Sequence, residues 1–201
     1  CDHGLLYMLV IVFFFLGVFG GSYAVKTMTK AQSAELLDYF DLFLKGLSEW
    51  NVSPAAAAQH AILNNLKVVL YIWLLGLTVI GIPLVLLLVS ARGFVLGFTI
   101  GFLVQQKGSQ GILIALLAVL PPSIINIPAL IVGAVLAVTF SGWLVRGRAK
   151  YQDASLAKQF IAYCTVMFVV ATVAAAAGFV EAYISPTLLR IVSQVSVQAM
   201  L

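Results

Sequence analysis

Glu181 is the ionisable residue whose setting most invites a chemical role. It stands in Phe179-Val180-Glu181-Ala182-Tyr183-Ile184-Ser185-Pro186, and no charged side chain precedes it as far back as Gln159. A carboxyl group at the edge of an apolar segment either accepts hydrogen bonds from a neighbouring helix or exchanges a proton or cation. In the first case Ser185 caps a short helix that starts at Pro186. In the second, Glu181 works with Asn126 and with backbone freed around Pro121 and Pro122, as discontinuous helices do in transporters and channels for ions and small solutes.

The rest of the chemical inventory is thin. Two His and two Cys are present, and no HExxH, GxSxG, CxxC or phosphate-loop pattern occurs. His3 and His60 are far apart in sequence, and His60 belongs to Gln59-His60-Ala61-Ile62-Leu63-Asn64-Asn65, where Asn64 joins the polar groups leading into an apolar segment. Cys164 reads as a buried free thiol, because no repeated cysteine spacing suggests a metal or disulfide framework. Neither a catalytic residue, a cofactor nor a metal is expected, and no nucleic-acid partner.

The elements that must position these residues are membrane helices. With 63% hydrophobic and 9% charged residues and a mean hydropathy of +1.11, the chain exceeds what a soluble domain of this length can hide in a core. Its charges gather in a few short stretches, and the intervals between them are the expected spans. Residues 4–25 form the first, about as long as the roughly 20 residues a crossing requires; a cleaved signal peptide is the rival reading.

Residues 68–91, 93–106, 108–145 and 159–183 make the others, giving an all-α polytopic bundle of about five transmembrane helices. As one straight helix, 108–145 would measure about 57 Å, nearly twice a bilayer's hydrocarbon core. Pro121 and Pro122 are expected to bend or break it, with Asn126 and Pro128 continuing the irregularity. The stretch 93–106 is short for a perpendicular span and is alternatively half of a re-entrant hairpin turning at Gln105-Gln106-Lys107-Gly108. Within it Gly93, Gly97 and Gly101 share one helix face, suited to close packing inside the chain or to homodimerisation.

Arg146, Arg148, Lys150 and Lys158 crowd the short loop 146–158, whereas the longer 26–67 also holds only four bases. The short basic loop is therefore expected in the cytoplasm. Three crossings then put 26–67 outside, the N-terminus inside and the short C-terminal segment 185–201 outside. Within 26–67, Leu36, Leu37, Phe40, Phe43, Leu44 and Leu47 recur at helical spacing between Glu35, Asp38, Asp41 and Lys45. That pattern predicts an external amphipathic helix, lying on the headgroups or docking a partner. Phe40, Phe43 and Trp50 are the expected apolar anchors, with Asp38 and Asp41 at the rim.

Several segments together resemble the stage II sporulation protein M family. They are Leu75-Gly76-Leu77-Thr78-Val79-Ile80-Gly81-Ile82-Pro83, Gly97-Phe98-Thr99-Ile100-Gly101-Phe102, Leu120-Pro121-Pro122-Ser123-Ile124-Ile125-Asn126-Ile127-Pro128-Ala129 and the segment around Glu181. The resemblance covers essentially the whole chain. It implies a multi-pass protein of endospore-forming bacteria in the septal membrane of the mother cell, required for engulfment of the forespore. It implies a non-enzymatic anchor for two peptidoglycan-degrading enzymes, stage II sporulation proteins D and P. It also implies a short basic leader ahead of Cys1 and, in many relatives, an acidic residue near the position of Asn126.

Overall fold

In lipid every backbone N–H and C=O must be satisfied within the chain, and a helix does this one segment at a time. The computed structural model accordingly shows helices throughout. It describes residues 2–49, 54–150 and 156–198, and no strand occurs among the described residues. The helices are α1 (Asp2–Thr27), α2 (Lys30–Glu49), α3 (Pro54–Gly76), α4 (Gly81–Ile114), α5 (Leu120–Lys150) and α6 (Leu156–Gln198), with a π-helical turn Ala115–Val119 between α4 and α5.

Among the described residues four segments are long and apolar enough to cross a membrane: Gly4–Thr27, Gly81–Gln106, Leu120–Val145 and Ala157–Tyr183. This is one fewer than the expected five. The fifth long helix, α3, packs within the bundle but does not qualify, because Gln59, His60, Asn64, Asn65 and Lys67 make its first half polar.

The chain divides differently from the expected partition at two places. Residues 68–91 are not one span, since the turn at 77–80 separates α3 from α4. Thr78 closes that turn, its N–H and Oγ1 both donating to Leu75 O at 3.0 and 2.7 Å, and Gly81 N–H donates back to Thr78 O at 3.1 Å. Gly81 lies so close to Leu75 O that a Cβ would collide with it. Arg92, expected to mark a boundary, lies inside α4.

The break expected at Pro121 and Pro122 falls instead at Gly108, whose φ of 52° and ψ of −126° place it outside helical geometry. Only glycine adopts such a conformation without strain. The chain then folds back, bringing Gly111 against the Leu103 carbonyl. A helical hairpin thus turns at Gly108, the last residue of the expected Gln105-Gln106-Lys107-Gly108 turn. The two prolines sit in the first turn of α5, after the π-helical turn, where Leu120 N–H donates to Ala115 O. A wider turn at that point makes room for rings that cannot donate to the preceding carbonyls. Ser185 and Pro186 likewise do not start a new helix, because α6 runs through them to Gln198.

The glycine stripe meets α1. A Cβ at Gly93 or Gly97 would collide with the backbone around Phe14 and Val18, and one at Gly17 or Gly21 with the backbone around Ser90 and Phe94. Glycines on both helices thus let α1 and α4 lie in contact and parallel, and Ser22 Oγ donates to Gly97 O at 3.1 Å. The stripe therefore faces inward, as the close-packing reading expects.

α3 runs antiparallel to α6 and parallel to α5. Asn65 bonds α6 at Ala174 and α5 at Asn126, while at the other end Tyr163 Oη donates to Trp73 O at 3.0 Å and Ser141 Oγ to Thr78 O at 2.7 Å. The Phe140 and Tyr163 rings stack with centroids 4.5 Å apart. The core gathers Val10, Ile72, Val85, Val89, Ala134 and Ala174, all essentially inaccessible. These directions put the start of α1, the 77–80 turn, the end of α5 and the start of α6 at one end of the bundle. The end of α1, α2, the start of α3 and the Gly108 turn lie at the other.

Candidate functional site

Five helices converge on a cavity of about 270 Å³ in the half of the bundle towards the Gly108 turn. α3 contributes Asn64 and Asn65, α4 Arg92 and Thr99, α5 Pro122, Ser123 and Asn126, and α6 Glu181. Phe14, Val68, Leu96 and Leu130 supply apolar wall. Of the expected polar residues, the structure brings Glu181, Asn126, Asn64 and Pro122 together here; Pro121 lies one position outside the lining.

Asn65 is the hub. It is 4% exposed, and its Nδ2 donates to Ala174 O at 3.4 Å while its Oδ1 accepts from Asn126 Nδ2 at 3.2 Å. Its side chain also bonds the Glu181 carboxyl. One amide therefore ties α3 to α5 and α6 and lies beside the acid. Asn64, the neighbour expected in that role, reaches the cavity from an exposed position.

Arg92 is the group that sequence reasoning passed over. At roughly 1.5 Å per residue it lies about 16 Å along α4 from Gly81, inside a segment able to span a membrane. Its charge and that of Glu181 attract each other, and His60 adds a further electrostatic contact to Glu181. The available signal was one arginine inside an otherwise apolar run, which marks function or a buried counter-charge; taking charges as span boundaries erased it.

The glycines Gly93, Gly97 and Gly101 stand apart from this cavity, on the face against α1. α2 begins with a capping box: Thr29 N–H donates to Gln32 Oε1 at 3.1 Å and Gln32 N–H to Thr29 Oγ1 at 3.4 Å. Among the described residues the helix makes no substantial contact with the bundle, and Leu36, Asp38, Tyr39 and Leu42 are exposed on it. The side chains of Phe40, Asp41 and Phe43, and Trp50 entirely, lie outside the described residues. Cys164 is a half-buried free thiol. Among the described residues no group of three or more His, Cys, Asp or Glu side chains is placed to hold a metal ion.

A model of the family described as stage II sporulation protein M matches residues 10–186. The chain belongs to that family. The matched region takes in all the cavity residues, from Phe14 to Glu181. No curated protein and no solved structure shows significant similarity to the chain. Membership in the stage II sporulation protein M family points to a role in sporulation, in a family not known for enzymes, and with the four apolar helices it points to a membrane protein.

Proposed function

We propose that the chain is a non-enzymatic membrane scaffold. It anchors the peptidoglycan hydrolases stage II sporulation proteins D and P in the septal membrane of the mother cell and localises them during forespore engulfment. The observation that carries this reading is α2. A capped, amphipathic helix of 20 residues that leaves Leu36, Tyr39 and Leu42 exposed costs free energy in water unless lipid or a partner covers them. α2 stands at the opposite end from the loop flanked by Arg146, Arg148, Lys150 and Lys158, so a cytoplasmic basic loop puts it on the side where wall enzymes work.

In this reading Phe40, Phe43 and Trp50 are the anchors and Asp38 and Asp41 border them. The test is to replace residues 30–49 by a flexible linker of equal length in sporulating cells. Fluorescent fusions of the two hydrolases should disperse from the septum while the altered scaffold still inserts. Hydrolases that stay focused at the septum would remove α2 as their docking element.

A further inference from the structure

The cavity towards the Gly108 turn has features that anchoring does not require. An intramembrane arginine and a carboxylate that served only to neutralise each other would be expected to close on one another as a direct bidentate pair. Here they come from different helices and line the same cavity together, each reaching it from its own wall. Their attraction acts through space, and among the described residues no direct ion pair or hydrogen bond joins them.

We propose that this cavity binds a small zwitterion, whose carboxylate or phosphate pairs with Arg92 and whose ammonium pairs with Glu181.

Three features fit that chemistry. The carboxylate has a fixed neighbour: Asn65, held by Ala174 O and Asn126 Nδ2, offers its amide to Glu181, which lowers the ordering a ligand must impose. The Thr99 hydroxyl, on the cavity lining, already donates to Val95 O at 2.8 Å, so towards a ligand its oxygen can only accept, as an ammonium requires. Phe14, Leu96 and Leu130 set apolar wall beside the charges, where the contact to the half-buried Arg92 gains strength. The volume of about 270 Å³ suits a ligand smaller than the drug-sized molecules that fill pockets of roughly 300–1,000 Å³.

A free amino compound such as phosphoethanolamine and the headgroup of phosphatidylethanolamine share this chemistry, and two arms separate them. In the first, the full chain in detergent is titrated with phosphoethanolamine, inorganic phosphate and ethanolamine, following its thermal unfolding. In the second, the chain in nanodiscs of phosphatidylglycerol, with or without phosphatidylethanolamine, is examined for bound lipid by native mass spectrometry.

Stabilisation by phosphoethanolamine alone identifies a soluble zwitterion, and selective retention of phosphatidylethanolamine identifies the lipid. In either arm Arg92→Gln and Glu181→Gln should each weaken binding by roughly tenfold or more, the scale of a lost charge-assisted contact. Arg92→Lys, which keeps the charge, should lose less. An equal response to phosphate alone, no response in either arm, or binding unchanged in both Gln variants while the wild type and variants unfold alike would overturn the proposal. None of these outcomes bears on α2, so the scaffold reading is tested separately.

Discussion

Asn65 and Asn126, 61 positions apart in the chain, are joined by an amide-to-amide hydrogen bond of 3.2 Å between α3 and α5. The same Asn65 reaches Ala174 and Glu181 on α6. A single buried side chain therefore sets the spacing of the three helices that carry most of the polar cavity. In a membrane, where apolar burial gives helices no reason to associate, such bonds and close packing are what hold a bundle together.

Asn65→Leu removes every one of these bonds and leaves Asn126 without its acceptor. With interhelical hydrogen bonds in membranes averaging about 0.6 and reaching about 1.7 kcal/mol each, the variant should lose roughly 2 kcal/mol. Thermal unfolding in detergent measures this directly. Asn64→Leu, changing an exposed neighbour, should unfold close to wild type; equal losses from both would deny Asn65 its special position.

The α1–α4 interface gives a graded prediction. A methyl group at Gly97 would strike the Val18 backbone, whereas at Gly101 it would meet Ser22 Cα at 3.3 Å and a Val25 methyl at 3.4 Å, and at Gly142 nothing within 4 Å. Gly97→Ala should therefore be clearly destabilising, by roughly 1–3 kcal/mol for forced overpacking. Gly101→Ala should cost less and Gly142→Ala almost nothing. The ranking, read from melting temperatures of the three variants, is the result to check.

Gly108 has open space where a Cβ would go, so substitution there acts through the backbone alone. With φ at 52°, Gly108→Ala should cost about 1–2 kcal/mol. It should loosen the hairpin locally before the bundle unfolds, visible as faster amide hydrogen exchange across residues 103–119.

How far the sequence foretold this arrangement depended on what kind of signal each element left. Helical membrane character and the inward-facing glycine stripe were legible, because each rests on composition or on a period that survives folding. The α3–α4 turn was hidden because its residues, Leu77 to Ile80, are as apolar as a span; only Gly76, Gly81 and Pro83 around them mark it. Arg92 was hidden by the opposite assumption, that a charge ends a helix in lipid, when a counter-charge from α6 lets it stay inside. Pro121 and Pro122 pointed to a break that the π-helical turn absorbs, while Gly108 carried the turn without any neighbouring proline. The Thr29-Lys30-Ala31-Gln32 capping box, a signal the reading of the sequence passed over, fixes where α2 begins.

The central claim is that this chain holds wall hydrolases through α2. Its most direct test is co-purification of stage II sporulation proteins D and P with the detergent-solubilised chain, comparing wild type with the Phe40→Asp, Phe43→Asp double variant after confirming that both insert and unfold alike. The account predicts that wild type retains at least one hydrolase and that the double variant loses it by roughly tenfold or more, as for interface hot spots. A wild type that retains neither enzyme, or a double variant that retains as much as wild type, would contradict it.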